Sequence, residues 1–114
     1  MQSTSLIIVN FNSEAHTLAA LALLASRPDE MPGQLIVVDN SPGNGLSRRL
    51  EDLNLRVDSI PSGRNLGFAG GVNLGLEHST GRYVILLNPD ARPEPHCLSG
   101  LVRMLAEQPD IAVA

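Results

Sequence analysis

A carboxylate and an amide two residues apart follow a buried apolar segment late in the chain. Residues 83–87 are short and almost wholly apolar, as is typical of a strand covered on both faces of a parallel sheet. Asn88-Pro89-Asp90 ends this strand, because Pro89 cannot donate to a sheet ladder and keeps Asn88 extended. Carboxylate and amide oxygens suit a hard metal ion and the phosphates it carries. The same three residue types are turn formers, so the segment alone predicts a metal platform and a plain turn equally well.

Three other polar segments also follow apolar ones. They are Asn10-Phe11-Asn12, Asp39-Asn40-Ser41 and the segment around Arg64-Asn65. Each has a structural explanation, since Asp39 could cap a turn and Arg64 could be a surface charge. However, all strands of a parallel sheet end at the same edge, where open α/β folds bind ligands. The convergence of these segments predicts a ligand site there.

The elements that would place these residues alternate along the chain. Apolar, β-branched segments predict strands at residues 5–9, 35–38, 55–60, 83–87 and 111–114. Apolar residues at helical spacing predict helices that begin after Ser13, near Leu46, at Phe68 and at Glu94. This alternation is typical of a three-layer, doubly wound α/β fold with a mostly parallel sheet.

The third predicted helix contains three glycines: Gly70, Gly71 and Gly75. Each costs a helix about 1 kcal/mol relative to alanine. Three of them in one helix therefore predict close packing against a neighbouring element or close approach to a ligand.

Composition narrows the class of protein. The 114 residues make one domain or part of one, and 43% hydrophobic residues exclude a disordered chain. A formal charge of −4 without any lysine argues against nucleic acid as the partner. Cys97 is the only cysteine, so no internal disulfide can form. No apolar run approaches the roughly 20 residues that span a bilayer.

Several known ligand motifs are missing. The segment after the first strand is Asn10-Phe11-Asn12-Ser13, whereas a dinucleotide-binding domain needs a Gly-x-Gly-x-x-Gly turn there and a receiver domain needs acidic residues. A P-loop needs a lysine, and the chain has none. The histidines, His16, His78 and His96, lack metal-ligand spacing.

Four segments, in the order in which they occur, resemble the inverting family 2 glycosyltransferases of GT-A fold, especially bacterial rhamnosyltransferase-like members. They are residues 6–12 (LIIVNFN), 36–41 (IVVDNS), 64–75 (RNLGFAGGVNLG) and 86–90 (LLNPD). The resemblance covers nearly the whole chain. It implies a nucleotide diphosphate sugar as donor, a UDP- or dTDP-sugar such as dTDP-rhamnose, with Mg²⁺ or Mn²⁺ as cofactor. The acceptor would be a saccharide or a lipid-linked glycan.

The same resemblance assigns roles to individual residues. It implies that Asp39 meets the base or ribose, that Phe11 lies beside the base, and that Asp90 holds the metal. Arg64 and Asn65 would border the nucleotide pocket. The full set of implied nucleotide-sugar contacts is Val9, Asn10, Phe11, Asn12, Asp39, Arg64, Asn65, Gly67 and Asn88.

Two departures from the family pattern shape the expectations. Asn88 stands where many members have aspartate, and an amide oxygen binds a metal more weakly than a carboxylate. The family's catalytic base and acceptor site lie in a later segment, so residues 1–114 are expected to be a single nucleotide-sugar-binding domain, the N-terminal part of a longer enzyme and inactive alone. Apolar surface left exposed predicts a homodimer. The resemblance implies a cytoplasmic enzyme, associated peripherally with the inner face of the membrane.

A second interpretation remains open at this stage. A non-catalytic α/β module that binds a nucleotide or metabolite would present the same edge of the sheet without needing a metal. Metal-dependent retention of a nucleoside diphosphate distinguishes the enzyme from such a module.

Overall fold

The computed structural model describes all residues from Met1 to Ala114 and contains one parallel sheet flanked by helices. The strands are β1 (Thr4–Asn10), β2 (Gln34–Asp39), β3 (Asp58–Pro61) and β4 (Tyr83–Leu86). The helices are α1 (Glu14–Ala25), α2 (Gly45–Glu51), α3 (Gly67–His78) and α4 (Cys97–Glu107), with a 3-10 turn at Pro28–Glu30. The strand order is β3-β2-β1-β4, and every pairing is parallel. The predicted α/β fold is therefore confirmed.

The sheet buries both of its faces because its strands are apolar at consecutive positions. Side chains alternate along a strand, so Leu6 and Ile8 of β1 lie on one face and Ile7 on the other. The Leu6 face packs against residues of α1, α2 and α4. The Ile7 face packs against α3, where Leu74 contributes. Three helices on one face and one on the other give the predicted three layers.

α3 lies unusually close to the sheet. A Cβ atom placed on Gly71 would come within 2.6 Å of Val9 Cγ1, and one on Gly75 within 2.8 Å of Ile7 Cγ2. Any larger residue at either position would push α3 away from β1. The close packing predicted from the glycines is confirmed for Gly71 and Gly75.

Gln34 joins several segments at the edge formed by the amino ends of the strands, here called the amino rim. Its Nε2 donates to Asp58 Oδ2 and to the His78 carbonyl, both at 2.9 Å. Its Oε1 accepts from Ser5 Oγ at 2.7 Å and from the Thr80 N–H at 2.9 Å. A single side chain thus ties β1, β2, β3 and the end of α3 together.

The predicted fifth strand at residues 111–114 is wrong. These residues pair with no strand, and Val113 is 86% exposed. The Ile111 N–H instead donates to the Gln108 carbonyl at 2.9 Å, which closes a turn after α4. A β-branched segment becomes a strand only when a neighbouring strand satisfies its backbone groups, and none lies beside it here.

Two other boundaries differ from the prediction. β3 begins at Asp58, because only Asp58 to Pro61 pair with β2, while Leu55 and Val57 pack against the Leu6 face of the core. α4 begins at Cys97 and not at Glu94, since His96 has a φ of 69°, in the left-handed region that interrupts a right-handed helix.

None of the four helices is both long enough and apolar enough to cross a membrane.

Candidate functional site

The carboxyl ends of the strands form the opposite edge of the sheet, here called the carboxyl rim. Asn10 of β1 lies opposite Asp39 of β2, and Asp39 lies opposite Pro61 of β3. β4 ends before it reaches the level of Asn10, since its last residue, Leu86, lies opposite Ile7. The chain leaves β1 toward β2 but later places β4 on the other side of β1, and such a reversal of strand order opens a crevice for ligands.

A buried hydrogen-bond network joins the ends of β1 and β2. Asn10 is 1% exposed and Asp39 is 4% exposed. Asn10 Nδ2 donates to Asp39 Oδ1 at 3.0 Å, and Thr17 Oγ1 of α1 donates to Asn10 Oδ1 at 2.7 Å. Because Thr17 occupies the amide oxygen, the amide turns its NH₂ group toward Asp39. The carboxylate is therefore oriented without any cationic partner.

Only one of the two oxygens of Asp39 is used by the chain. Oδ1 also accepts from the Ser41 N–H at 3.0 Å. Oδ2 makes no hydrogen bond within the chain and is not sealed from solvent. An ionised carboxylate with one free oxygen can accept a hydrogen bond from an N–H or O–H group of a ligand.

The loop after β1 joins the same network through Ser41. Ser41 Oγ accepts from the Asn12 N–H at 2.7 Å and from Asn10 Nδ2 at 3.3 Å. Asn12 has a φ of 51°, a left-handed conformation that asparagine tolerates better than most residues. Between these residues, Phe11 is 45% exposed. An exposed aromatic ring beside a buried carboxylate offers a surface on which a flat ligand group could stack.

Two side chains tie the loop between β3 and α3 to the end of β2. The Ser62 N–H donates to the Asp39 carbonyl at 3.0 Å, and Ser62 Oγ donates to it at 3.1 Å. Asn40 Nδ2 donates to the Gly67 carbonyl at 3.0 Å. Asn40 is 2% exposed, and its Oδ1 has no hydrogen-bond partner. The β3–α3 loop is therefore fixed relative to Asp39.

That loop presents Arg64, Asn65 and Gly67 at the carboxyl rim. Asn65 Oδ1 accepts from the Gly67 N–H at 2.9 Å, and Gly67 has a φ of 74°, which favours glycine. The Arg64 side chain is exposed and makes no hydrogen bond or ion pair. Its guanidinium group is therefore available to an anionic ligand.

Asn88, Pro89 and Asp90 form a turn, since the Ala91 N–H donates to the Asn88 carbonyl at 3.0 Å. Asn88 and Asp90 are exposed, and neither side chain makes a hydrogen bond or ion pair. No group of three or more His, Cys, Asp or Glu residues is placed to hold a metal ion. Asp90 therefore fits a metal only of the kind that takes most of its oxygen ligands from water and substrate phosphates, as Mg²⁺ does.

A comparison with protein-family models identifies the chain. Residues 5–114 match the model described as glycosyl transferase family 2. The chain belongs to glycosyl transferase family 2. The predicted family membership is thereby confirmed, while rhamnosyl specificity and an inverting mechanism stay predictions. No curated protein sequence matches this family 2 chain.

Solved structures resemble the family 2 chain in fold. TarS of S. aureus superposes with a TM-score of 0.74 at 23% identity, over 93% of this chain and 20% of its own. TarS 1-349 gives a TM-score of 0.75 at 23% identity, over 93% of this chain and 33% of its own. Mannosyltransferase PcManGT from Pyrobaculum calidifontis, in complex with GDP-Man and Mn2+, gives 0.78 at 23% identity, over 91% of this chain and 32% of its own. The family 2 chain thus spans between a fifth and a third of these proteins.

Hydrogen bonds link some of the predicted site residues of the family 2 chain, while the side chains of the others lie at the same rim without such links. Hydrogen bonds connect Asn10, Asn12 and Asp39 through Ser41. Val9 is half-buried beneath Gly71 and contributes packing. No side chain of the remaining predicted residues bonds to this network; they are Phe11, Arg64, Asn65, Gly67, Asn88 and Asp90. Two of them are joined to it through the backbone, since the Gly67 carbonyl accepts from Asn40 Nδ2 and the Arg64 carbonyl accepts from Ser62 Oγ.

Four residues of the network were not predicted as site residues: Thr17, Asn40, Ser41 and Ser62. Asn40 and Ser41 belong to the polar segment after β2 that was predicted to reach this rim, but neither was given a role of its own. Thr17 carried a weaker signal, since it is a polar residue on the buried face of an otherwise apolar helix. Ser62 carried no signal that distinguishes it from other loop serines.

Proposed function

We propose that residues 1–114 form the nucleotide-sugar-binding domain of a longer, inverting glycosyltransferase. The donor is a UDP- or dTDP-sugar, with dTDP-rhamnose as the leading candidate, and the acceptor is a saccharide or a lipid-linked glycan. A lipid-linked acceptor would bring the full-length enzyme to the inner face of the membrane. The observation that carries the proposal is the oriented Asp39 carboxylate, with Oδ2 free at the carboxyl rim of a family 2 chain.

Asp39 and its neighbours would bind the nucleoside. Asp39 Oδ2 would accept a hydrogen bond from the base or the ribose, a bond to a charged group that is worth roughly 1.5–3 kcal/mol. Phe11, at 45% exposure, would cover one face of the base. Arg64 and Asn65, from the loop tied to β2, would border the nucleotide on another side.

Asp90 would bind the metal that accompanies the diphosphate. A bound Mg²⁺ or Mn²⁺ would act as a Lewis acid toward the negative charge that develops on the leaving diphosphate. The exposed, unpaired carboxylate of Asp90 supports this role. The structurally similar mannosyltransferase, which was solved with GDP-Man and Mn2+, supports it as well. Asn88 would contribute its amide oxygen at most weakly.

The catalytic base and the acceptor site would lie outside residues 1–114. The similar structures are three to five times longer than the part that this chain covers, which leaves room for both. Without a base, acceptor activation loses roughly 10²–10⁴-fold in rate. We therefore expect no sugar transfer by the 114-residue chain, which an assay with radiolabelled UDP- and dTDP-sugars can check. Robust transfer would contradict this part of the proposal.

Thermal melts test the binding role. Each of UDP, dTDP and GDP is added once with Mn²⁺ and once with chelator, and Mn²⁺ is also added without nucleotide. A ligand that binds only the folded state raises the apparent melting temperature. We expect nucleotide and Mn²⁺ together to raise it more than either does alone. Equal shifts with and without Mn²⁺ would refute the metal role of Asp90 and favour a non-catalytic nucleotide-binding module. No shift with any nucleotide would refute both.

We also propose that, when the 114-residue chain is studied alone, a second copy of it covers an apolar groove of about 550 Å³ beside β4. The groove lies between α3, β4 and α4, and Leu76, Leu86 and Leu101 are among its lining residues. β4 pairs only with β1, so its outer backbone groups are free. Light scattering should show a dimer, and a strict monomer at all concentrations would contradict it.

A further inference from the structure

The loop between β4 and α4, residues 87–96, carries Asp90 and has little structure of its own. Its one internal backbone hydrogen bond closes the turn from Asn88 to Ala91. Pro89, Pro93 and Pro95 have no N–H group to donate. Within the loop, Arg92 Nη1 donates to the Pro89 and Ala91 carbonyls, both at 2.7 Å, while the Asp90 carboxylate itself bonds to nothing in the chain. The position of Asp90 therefore depends on this internal brace and on the bonds that tie the loop to the rest of the chain.

The sheet holds the upstream end of this loop. The Leu87 N–H donates to the Ile7 carbonyl at 3.0 Å, and Leu87 is buried in the core. Two arginines hold the middle of the loop: Arg92 of the loop reaches α1, and Arg27, just after α1, reaches the loop. Arg92 Nη2 donates to the His16 carbonyl at 3.2 Å, and Arg27 Nη1 donates to the Pro93 carbonyl at 2.6 Å. The second of these bonds is the shorter one and is partly shielded from water.

Glu30 holds the downstream end, where α4 begins. It is an acidic residue only 5% exposed, and its Oε1 accepts from Ser99 Oγ at 3.2 Å. The backbone N–H of His96 holds the pKa of Glu30 below its ordinary value, although burial acts in the opposite direction. The ionised carboxylate thus lies beside the start of α4, where Ser99 Oγ donates to it and where a negative charge is stabilising.

We propose that Arg27, just before the 3-10 turn, and Glu30, its last residue, are positioning residues that hold Asp90 where a divalent metal on a nucleotide diphosphate meets it. This inference rests on the function proposed above. Neither residue touches the metal or the nucleotide, since both act on the loop through Pro93 and the start of α4. A metal that takes a single carboxylate from the protein depends strongly on where that carboxylate stands.

A purely structural role would have different consequences. The Asp39 network is fixed by Asn10, Thr17 and Ser41, none of which contacts Arg27 or Glu30. Loosening the Asp90 loop should therefore leave metal-free nucleotide binding unchanged and reduce only the gain in affinity that metal provides. General destabilisation of the fold would reduce binding equally with and without metal.

Calorimetry of UDP and dTDP binding, in Mn²⁺ and in EDTA, tests the inference. The ratio of the two affinities is the metal enhancement. We expect Arg27→Gln and Glu30→Gln each to lower it by about tenfold, at the low end of the roughly 10–100-fold that loss of an outer-shell partner costs in metal affinity. Arg49→Gln is the matched control, because the Arg49 guanidinium forms an exposed ion pair with Glu14 at 3.0 Å, away from the loop.

Three further measurements separate positioning from folding. Asp90→Asn should abolish the metal enhancement, and Arg27→Gln should then have no additional effect. Arg27→Lys keeps a charged donor for the Pro93 carbonyl and should restore most of the enhancement. Amide exchange at Ala91 and Cys97, on either side of the clamped segment, should be faster in Arg27→Gln than in the unaltered chain.

The outcomes distinguish this inference from the function on which it rests. An unaltered chain that gains no affinity from Mn²⁺ overturns the metal role of Asp90 and this inference with it. A normal enhancement in Arg27→Gln, or an equal loss of affinity in Mn²⁺ and in EDTA, overturns the positioning role alone. If Glu30→Gln does not fold, Arg27→Gln decides.

Discussion

The two rims of the sheet are built on the same strands with the same kinds of polar side chain, yet they differ in what they leave unbonded. At the amino rim, both polar side-chain atoms of Gln34, Oε1 and Nε2, are hydrogen-bonded to partners from β1, β3 and the end of α3. At the carboxyl rim, Asp39 Oδ2 and the Asp90 carboxylate reach solvent and have no partner in the chain. Each rim also has one buried atom without a partner, Thr4 Oγ1 at the amino rim and Asn40 Oδ1 at the carboxyl rim.

This difference separates bonds that hold the fold from bonds that prepare a site. A hydrogen bond whose partners both belong to the chain contributes to the free energy of unfolding. An acceptor that the fold orients but does not satisfy contributes little to folding and becomes useful when a ligand donates to it. Substitutions at the amino rim should therefore affect stability, and substitutions at the carboxyl rim should affect binding.

Gln34→Met should produce the largest change. It removes every side-chain hydrogen bond of Gln34 at nearly constant size, and it leaves Asp58 without its donor and the Ser5 hydroxyl without its acceptor. We expect a loss of about 2–3 kcal/mol in the free energy of unfolding, because each group left unsatisfied costs roughly 1–3 kcal/mol and water can reach part of this rim. Urea denaturation measures the loss.

Gln108→Met is the control for Gln34→Met, since the Gln108 side chain is exposed and makes no hydrogen bond. Nucleotide affinity should be unchanged in both variants. A loss of affinity in Gln34→Met, with the fold intact, would break the division of labour between the two rims.

Asp39→Asn should produce the next largest change, and this change should be in nucleotide affinity and not in stability. The amide can keep an oxygen toward Asn10 and Ser41, but it presents an NH₂ group where Oδ2 stood. We expect calorimetry with UDP or dTDP to show affinity lower by roughly 10–100-fold, which is what 1.5–3 kcal/mol corresponds to. Asp52→Asn, an exposed aspartate at the end of α2, is the control. Unchanged affinity together with an unchanged melt would make Asp39 a turn residue only.

Thr17→Val should have a smaller effect, which should be seen both in the free energy of unfolding and in nucleotide affinity. It removes the donor to Asn10 Oδ1 from a position that is completely buried. We expect about 1 kcal/mol of destabilisation. The freed amide can also rotate its oxygen toward Asp39, which should weaken nucleotide binding. Thr17→Ser keeps the hydroxyl group and should retain affinity, so an equal loss of affinity in both variants would exclude the orienting role.

The sequence predicted the parts of the molecule that depend on neighbouring residues. β1 and β2 followed from apolar runs, and Asp39 came to the carboxyl rim because a polar segment ends its strand. The residues that orient the site were missed where their partners are remote, as with Glu30 and Ser99, which are 69 positions apart. The strand at residues 111–114 failed for a related reason, since a strand exists only with a neighbour that local sequence does not show.

The smallest expected effect concerns Glu30, which lies beside the start of α4 and, in the positioning role proposed above, steadies the loop that carries Asp90. Its pKa is lowered in the folded chain, chiefly by the backbone N–H of His96. The stability that it contributes is therefore present above its ordinary pKa, near 4.5, and is lost as the pH falls through its lower value in the folded chain.

Glu30→Gln should accordingly be less stable than the unaltered chain at pH 7, by about 0.5–1 kcal/mol, the size typical of a carboxylate at a helix N-terminus. The gap should shrink as the pH falls from about 5 into the range below 4.5, where Glu30 gains a proton and resembles the neutral amide. Urea denaturation at several pH values measures it, with Glu107→Gln as an exposed control. A gap that stays constant down to pH 3 would mean that the ionised form of Glu30 does not hold α4.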